Sequence, residues 1–155
     1  MTDINIISDK DIFFMNRALE LARQGEGLAF PNPMVGAVLV NGDEIVGEGF
    51  HLFSNLKHAE IVAIDNAGSL AKGATLYCSL EPCCHWGRTP PCTDALINAG
   101  IARAFIAIID NDARVSGKGI QQLRDAGIAV HIGICEHEAY ELNKTYFISR
   151  SESKK

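Results

Sequence analysis

His58-Ala59-Glu60, a helical run of apolar residues, a short strand and then Glu81-Pro82-Cys83-Cys84-His85-Trp86-Gly87-Arg88-Thr89-Pro90-Pro91-Cys92 make up residues 58–92. One imidazole, a carboxylate two residues beyond it and a cluster of thiols past the strand are the parts of a metal–water centre. Zinc takes imidazole nitrogen and thiolate sulfur. A catalytic zinc keeps three protein ligands and an open position for water, whose pKa it lowers towards about 7. His58, Cys83 and Cys92 can supply the three ligands. Spacing alone also allows Cys84 in place of Cys83, although the Pro-Cys order favours Cys83. A closed structural site with Cys84 or His85 as fourth ligand is the competing reading, and it leaves Glu60 without a purpose. Glu60 starts the same predicted helix as His58, close to a metal without having to ligate it, where it can hold and move a proton. Gly87 and Pro90-Pro91 make the intervening segment a turned loop, so that Cys92 can fold back to the metal.

The flanking sequence supplies alternating elements. Ser8 and Asp11 form a plausible capping pair, and Ile12, Met15, Leu19 and Ala22 recur at helical spacing up to Gly25. Phe30-Pro31-Asn32-Pro33 breaks the helix. The apolar run 34–40 predicts a buried strand, Asn41-Gly42 a type I′ turn, and residues 44–49 the returning strand of a hairpin. Residues 59–67 suit a helix stopped by Gly68, and residues 74–79 a third strand. A helix over 93–99 precedes a strand over 103–109, apolar on both faces and so expected to be central. A polar loop (110–119), a helix (120–126), a strand (128–134) and a last helix (136–147) complete the order. The tail from 149 is expected to be frayed, as are residues 1–8. The order predicts an α/β fold with three α/β/α layers around a five-stranded mixed sheet, as one domain over 1–155.

Composition narrows the partners. At 155 residues, 47% hydrophobic and 21% charged, the chain is an ordinary globular sequence. Its apolar runs are far short of the roughly 20 residues that a membrane span needs. Met1-Thr2-Asp3-Ile4 lacks the basic-then-apolar order of a secretion signal, so a cytoplasmic protein is expected. Five cysteines, three of them within residues 83–92, fit a metal site better than a disulfide framework. Cys78 and Cys135 read as inert core thiols, and His131 and His137 as surface or core positions. With 14 basic and 19 acidic residues the net charge is −5, which argues against a nucleic-acid partner.

Zinc nucleobase deaminases carry His-x-Glu followed by Pro-Cys-x-x-Cys. Here the second thiol comes later, at Cys92, and the resulting Glu-Pro-Cys-x-His-x-Gly-Arg-Thr-Pro-Pro-Cys resembles the deaminase domain of riboflavin biosynthesis. The likeness extends to Pro31-Asn32-Pro33-Met34-Val35-Gly36-Ala37, to Gly49-x-His51 and to Leu142-Asn143-Lys144, covering roughly residues 10–148. It implies a cytidine-deaminase-like fold and a zinc cofactor (Zn2+) on His58, Cys83 and Cys92, with Glu60 as proton shuttle. Asn32, His51, His85 and Arg88 match positions that line the substrate pocket. Asn32 would take the pyrimidine edge, and the basic or donor groups the ribose phosphate. The implied reaction converts a diaminopyrimidinone ribosylamine phosphate to the pyrimidinedione by exchanging a ring amine for oxygen. Deamination of another base, nucleotide or pteridine-like ring is the alternative, followed by an RNA deaminase and a non-catalytic zinc-binding protein. A homo-oligomer is expected, and a separate reductase is a candidate partner, since most bacterial relatives continue into an NADPH-dependent reductase domain. Three positions depart from the family pattern. Asp110-Asn111-Asp112-Ala113 replaces Asp-Pro-Asn-Pro, Ala29 replaces a threonine, and Asn55 replaces a glycine. An Asp at 112 would repel a phosphate if it pointed into the pocket.

Overall fold

Ser8 caps the first helix as its sequence asks: its hydroxyl accepts the Asp11 N–H at 3.2 Å, and the Asp11 carboxylate accepts the Ser8 N–H at 3.0 Å. In the computed structural model, which describes residues 7–54 and 57–153, this helix is α1 (Asp9–Arg23). It buries Phe14, Met15, Ala18, Leu19, Leu21 and Ala22, whereas Ile12, expected on the apolar face, is 41% exposed.

Five strands follow: β1 (Gly36–Asn41), β2 (Glu44–Phe50), β3 (Thr75–Cys78), β4 (Arg103–Ile106) and β5 (Ala129–Ile132). They form one mixed sheet in the order β2-β1-β3-β4-β5, with β1 antiparallel to β2 and β3, and β3, β4 and β5 parallel. The expected central strand, β4, is flanked on both sides, but β3 is the middle one. The hairpin turn sits one residue later than the Asn41-Gly42 reading. Asn41 pairs with Glu44, and of the two residues between them only Gly42 has positive φ (66°). A type I′ turn needs positive φ at both central positions; positive φ at the first alone is the mark of type II′.

Pleating sends successive side chains to opposite layers. Ala37, Leu39, Leu76, Cys78, Ala104 and Ile106 share a core with helices α2 (Ala59–Ala67), α3 (Cys92–Ala99) and α4 (Lys118–Asp125). Val38, Val40, Tyr77 and Phe105 pack instead with α1 and with α5 (Glu136–Leu142). This is the expected three-layer arrangement. Where α2 crosses β2 the backbones come so close that a Cβ at Gly47 or Gly49 would run into the carbonyl oxygens of Ala63 or Ala59. The close approach fixes the start of α2, where His58 and Glu60 lie.

Gly68 caps α2 as expected, with φ 58° and its N–H on the Ile64 carbonyl, and a 3-10 turn, Gly68–Ala71, follows directly. One local departure matters. The last helix divides at Asn143, and α6 (Lys144–Ser153) runs through residues read from sequence as a frayed tail. Its anchor is tertiary: Asn111 Nδ2 donates to the Phe147 carbonyl (2.9 Å) and to Ser151 Oγ (3.1 Å). Of the termini expected to be frayed, residues 1–6 and 154–155 lie outside the described residues. Among the described residues no helix is long and apolar enough to cross a membrane.

Candidate active site

Because β1 runs against β3, the segment entering β1, the segment leaving β2 and the loop after β3 meet at one edge of the sheet. Gly36 N–H donates to Ser79 Oγ (3.0 Å), Ser79 N–H to the Gly36 carbonyl (3.0 Å), and His51 N–H to the Val35 carbonyl (3.1 Å). This is the carboxyl edge of the parallel strands, where α/β sheets hold their ligands.

His58 is the N-cap of α2, Cys83 lies in the loop after β3, and Cys92 begins α3. The folding-back that Gly87 and the prolines predicted is present: Cys92 N–H donates to Cys83 Sγ at 3.3 Å, and Thr93 N–H to the Cys83 carbonyl at 3.1 Å. His58 Nδ1 sits 3.2 Å from Cys92 Sγ and 3.7 Å from Cys83 Sγ, and the three donor atoms lie within 4.8 Å of one another. Zinc bonds of about 2.3 Å to sulfur and about 2.0 Å to nitrogen give tetrahedral N···S edges of about 3.5 Å. The donor set therefore fits zinc. Cys84 does not join it; its thiol turns to the Arg114 carbonyl at 3.5 Å. Among the described residues only His58, Cys83 and Cys92 form such a group, with neither Cys84 nor His85 as a fourth member.

The electrostatics suit a metal. Hydrogen bonding from the Cys92 thiol, helped by His58, lowers the Cys83 pKa, while the same bond and burial raise that of Cys92. Zinc binds both sulfurs as thiolates, so Cys83 ionises the more readily and Cys92 gives up its proton as the metal binds. His58 is raised, first by its hydrogen bond with Cys83. Glu60 is 3% exposed, and burial pushes its pKa up to about 7 against the opposing pull of His58.

A cavity of about 460 Å³ opens over this centre, and Glu60, His58 and Cys83 line it. Asn32, His51, His85 and Arg88 line the same cavity. Asn32 Nδ2 lies 2.9 Å from His51 Nε2, so the two side chains hold each other in the cavity wall. Burial lowers the His51 pKa, in keeping with a neutral ring. His85 Nδ1 is buried with no hydrogen-bond partner among the described residues. The Arg88 guanidinium rides 4.6 Å above the Phe53 ring.

Sequence reasoning singled out Asp112 but missed Glu81, Arg114, Tyr146 and Arg150 in the cavity wall. Glu81, 3% exposed, accepts the N–H groups of Asp110 (3.1 Å), Gly117 (2.9 Å) and Ile120 (3.2 Å). It thereby ties the loop after β4 to the loop carrying Cys83. Two glycines make this possible: Gly117 has φ 92°, and a Cβ at Gly119 would collide with the Pro82 carbonyl. Asp110, Asp112, Arg114, Tyr146 and Arg150 complete the wall. Asp112 does not present a bare charge. It is bidentate with Arg114 (Nε–Oδ1 3.1 Å, Nη2–Oδ2 2.8 Å) and has Arg150 Nε 3.6 Å away. The feared repulsion is offset by two guanidinium groups. Hydrogen bonding to Arg114 holds the Asp112 pKa well below the carboxylate range. Of the other departures, Ala29 is buried at 1% exposure, and Asn55 lies outside the described residues.

The family model for the cytidine and deoxycytidylate deaminase zinc-binding region matches residues 8–108. A diaminohydroxyphosphoribosylamino-pyrimidine deaminase of Buchnera aphidicola subsp. Schizaphis graminum is 49% identical over 138 residues, covering 89% of this chain and 94% of that protein. A riboflavin biosynthesis protein RibD of Aquifex aeolicus is 51% identical over 142 residues, covering 92% of this chain and 40% of that protein. The structure of Acinetobacter baumannii RibD matches with a TM-score of 0.89 at 46% identity, over 92% of this chain and 40% of that one. The chain spans about two fifths of the length of these RibD relatives.

Proposed function

This chain belongs to the cytidine and deoxycytidylate deaminase family of zinc-binding proteins, and we propose that it hydrolytically deaminates an aminopyrimidine ribosylamine phosphate in riboflavin biosynthesis. The observation that carries the reading is one cavity lined by a buried carboxylate, Glu60, and by two members of a three-donor zinc group, His58 and Cys83. Three ligands leave the fourth position open, which a structural site does not.

His58, Cys83 and Cys92 would hold the zinc. When bound, it supplies a Lewis acid that activates water beside the amine-bearing ring carbon. Glu60 takes the water's proton and delivers it to the departing nitrogen. The water oxygen bonds to the amine-bearing carbon, its second proton ends on the adjacent ring nitrogen, and as the C–N bond breaks a C=O bond remains and ammonia leaves. Asn32 takes the pyrimidine edge, held in place by the Asn32–His51 contact. His85 and Arg88 donate to the ribose phosphate. The relative from Buchnera carries the substrate class in its name, and its length is nearly that of this chain. The product suits a reductase of the kind that the Thermotoga maritima relative is also named for.

Ammonia release by zinc-loaded protein across a panel of aminopyrimidines tests this. Turnover highest on the phosphoribosylamino-pyrimidine supports the reading. Turnover confined to a free base or pteridine-like ring moves the substrate, and one bound zinc with no ammonia from any compound overturns the enzyme assignment.

A further inference from the structure

We propose that Arg114 and Arg150, gathered by Asp112, form an anion clamp that selects substrates bearing a phosphate on the ribose; the inference rests on the deaminase reading and deepens it. The clamp joins two segments that the zinc chemistry does not use, the loop after β4 and helix α6. Asp112 is the hub, its side chain 11% exposed. Its carboxylate takes the Nε and Nη2 donors of Arg114 and the Arg114 backbone N–H at 2.9 Å. Arg150 approaches the same carboxylate at 3.6 Å and lies 5.0 Å over the Tyr146 ring, which braces it.

The charges decide what such a hub can receive. Two guanidinium groups share one ionised carboxylate, leaving the trio with a positive surplus. The neighbouring acids do not cancel it with free acceptors. Asp110 uses its oxygens on the Tyr146 hydroxyl (2.9 and 3.1 Å) and the Asp112 N–H (3.0 Å). Glu81 is committed to three backbone N–H groups. Arg114 spends Nε and Nη2 on Asp112, and its Nη1 has no hydrogen-bond partner among the described residues. Both arginines line the cavity that holds Glu60 and Arg88. A planar guanidinium fixed at one edge by a carboxylate is pre-organised to give its remaining N–H donors to a tetrahedral oxyanion. A dianionic phosphate monoester supplies acceptors on several sides and repays the positive surplus. Asp112 is thus a positioning residue for two arginines, the reverse of a repelling group.

The test uses zinc-loaded full-length protein and ribose 5-phosphate, with binding read by calorimetry. In parallel, KM is measured on the phosphorylated aminopyrimidine and its unphosphorylated nucleoside counterpart. Arg114→Ala and Arg150→Ala are expected to weaken ribose 5-phosphate binding about tenfold or more and to collapse the preference for the phosphorylated substrate by a similar factor. Arg114→Lys, which keeps the charge and loses the fork, is expected to fall between. Asp112→Asn is expected to weaken binding as well, because it releases both arginines. The clamp is overturned if wild type does not bind ribose 5-phosphate, if the arginine variants bind it as wild type does, or if Asp112→Asn tightens it. Ammonia release with a phosphate preference unmoved by the substitutions sinks the clamp and spares the deaminase. Arginine-dependent binding of ribose 5-phosphate without ammonia from any aminopyrimidine sinks the deaminase and spares the clamp.

Discussion

Replacing Glu81 with alanine should loosen the cavity wall without touching a zinc ligand. The carboxylate is almost fully buried and accepts three backbone N–H groups from residues 110, 117 and 120. A hydrogen bond to a charged group is worth about 1.5–3 kcal/mol, and a buried donor left unpaired costs about 1–3 kcal/mol. Glu81 lines the cavity, so water can reach part of the vacated space and the three losses do not add in full. We expect Glu81→Ala to destabilise the protein by about 3–5 kcal/mol, which lowers Tm by roughly 6–20 °C in a domain of this size. Glu81→Gln keeps one acceptor oxygen and should lose about 1–3 kcal/mol, chiefly from one unpaired N–H. Urea unfolding of the metal-free protein, with the slope unchanged between variants, reads both values without a contribution from zinc. A loss below about 1 kcal/mol for Glu81→Ala would refute the view that this carboxylate organises the loop after β4.

Three further outcomes follow from the same geometry. Cys92→Ser should bring bound zinc, measured by metal analysis, from one per chain to a small fraction, because the variant loses one of the three donors; a full complement of zinc would contradict the ligand set. Chelation of wild type should lower Tm, since a ligand that binds the folded state stabilises it; an unchanged Tm would argue against a site formed by folding. Asp112 has a folded pKa below its unfolded value of about 3.9, so its ionisation stabilises the protein above that pH and the benefit fades as pH falls towards the folded value. Asp112→Asn should therefore destabilise at pH 7, with a gap to wild type that narrows below about pH 4 in urea melts; a gap that widens in acid contradicts the pairing.

The donor group was legible because its pattern is local. His58, Cys83 and Cys92 stand in the type and order of a metal-binding set, Gly87 with two prolines shows how the last thiol returns, and the structure brings the three donor atoms within 4.8 Å of one another. The strands were legible from β-branched runs bounded by turn residues, and the hairpin differs in which two residues turn and in the turn type. What stayed hidden depends on partners distant in sequence. Glu81 matters through backbone N–H groups 29 to 39 residues away, and no side-chain pattern marks that. Residues 149–153 are polar enough to read as tail. They are helical because Asn111 binds the Phe147 carbonyl and Ser151, and Asp112 with Tyr146 engages Arg150. The Asp112 departure was visible, but its meaning turned on whether an arginine faced it.

The most direct test of the account is paired zinc analysis and ammonia release for wild type and Glu60→Ala on the phosphoribosylamino-pyrimidine. Positioned proton transfer is worth about 10²–10⁴-fold in rate. We expect the variant to hold as much zinc as wild type and to lose turnover by a factor in that range. Equal zinc with turnover within a few-fold of wild type would contradict the assignment of Glu60 as the proton carrier of a deaminating centre.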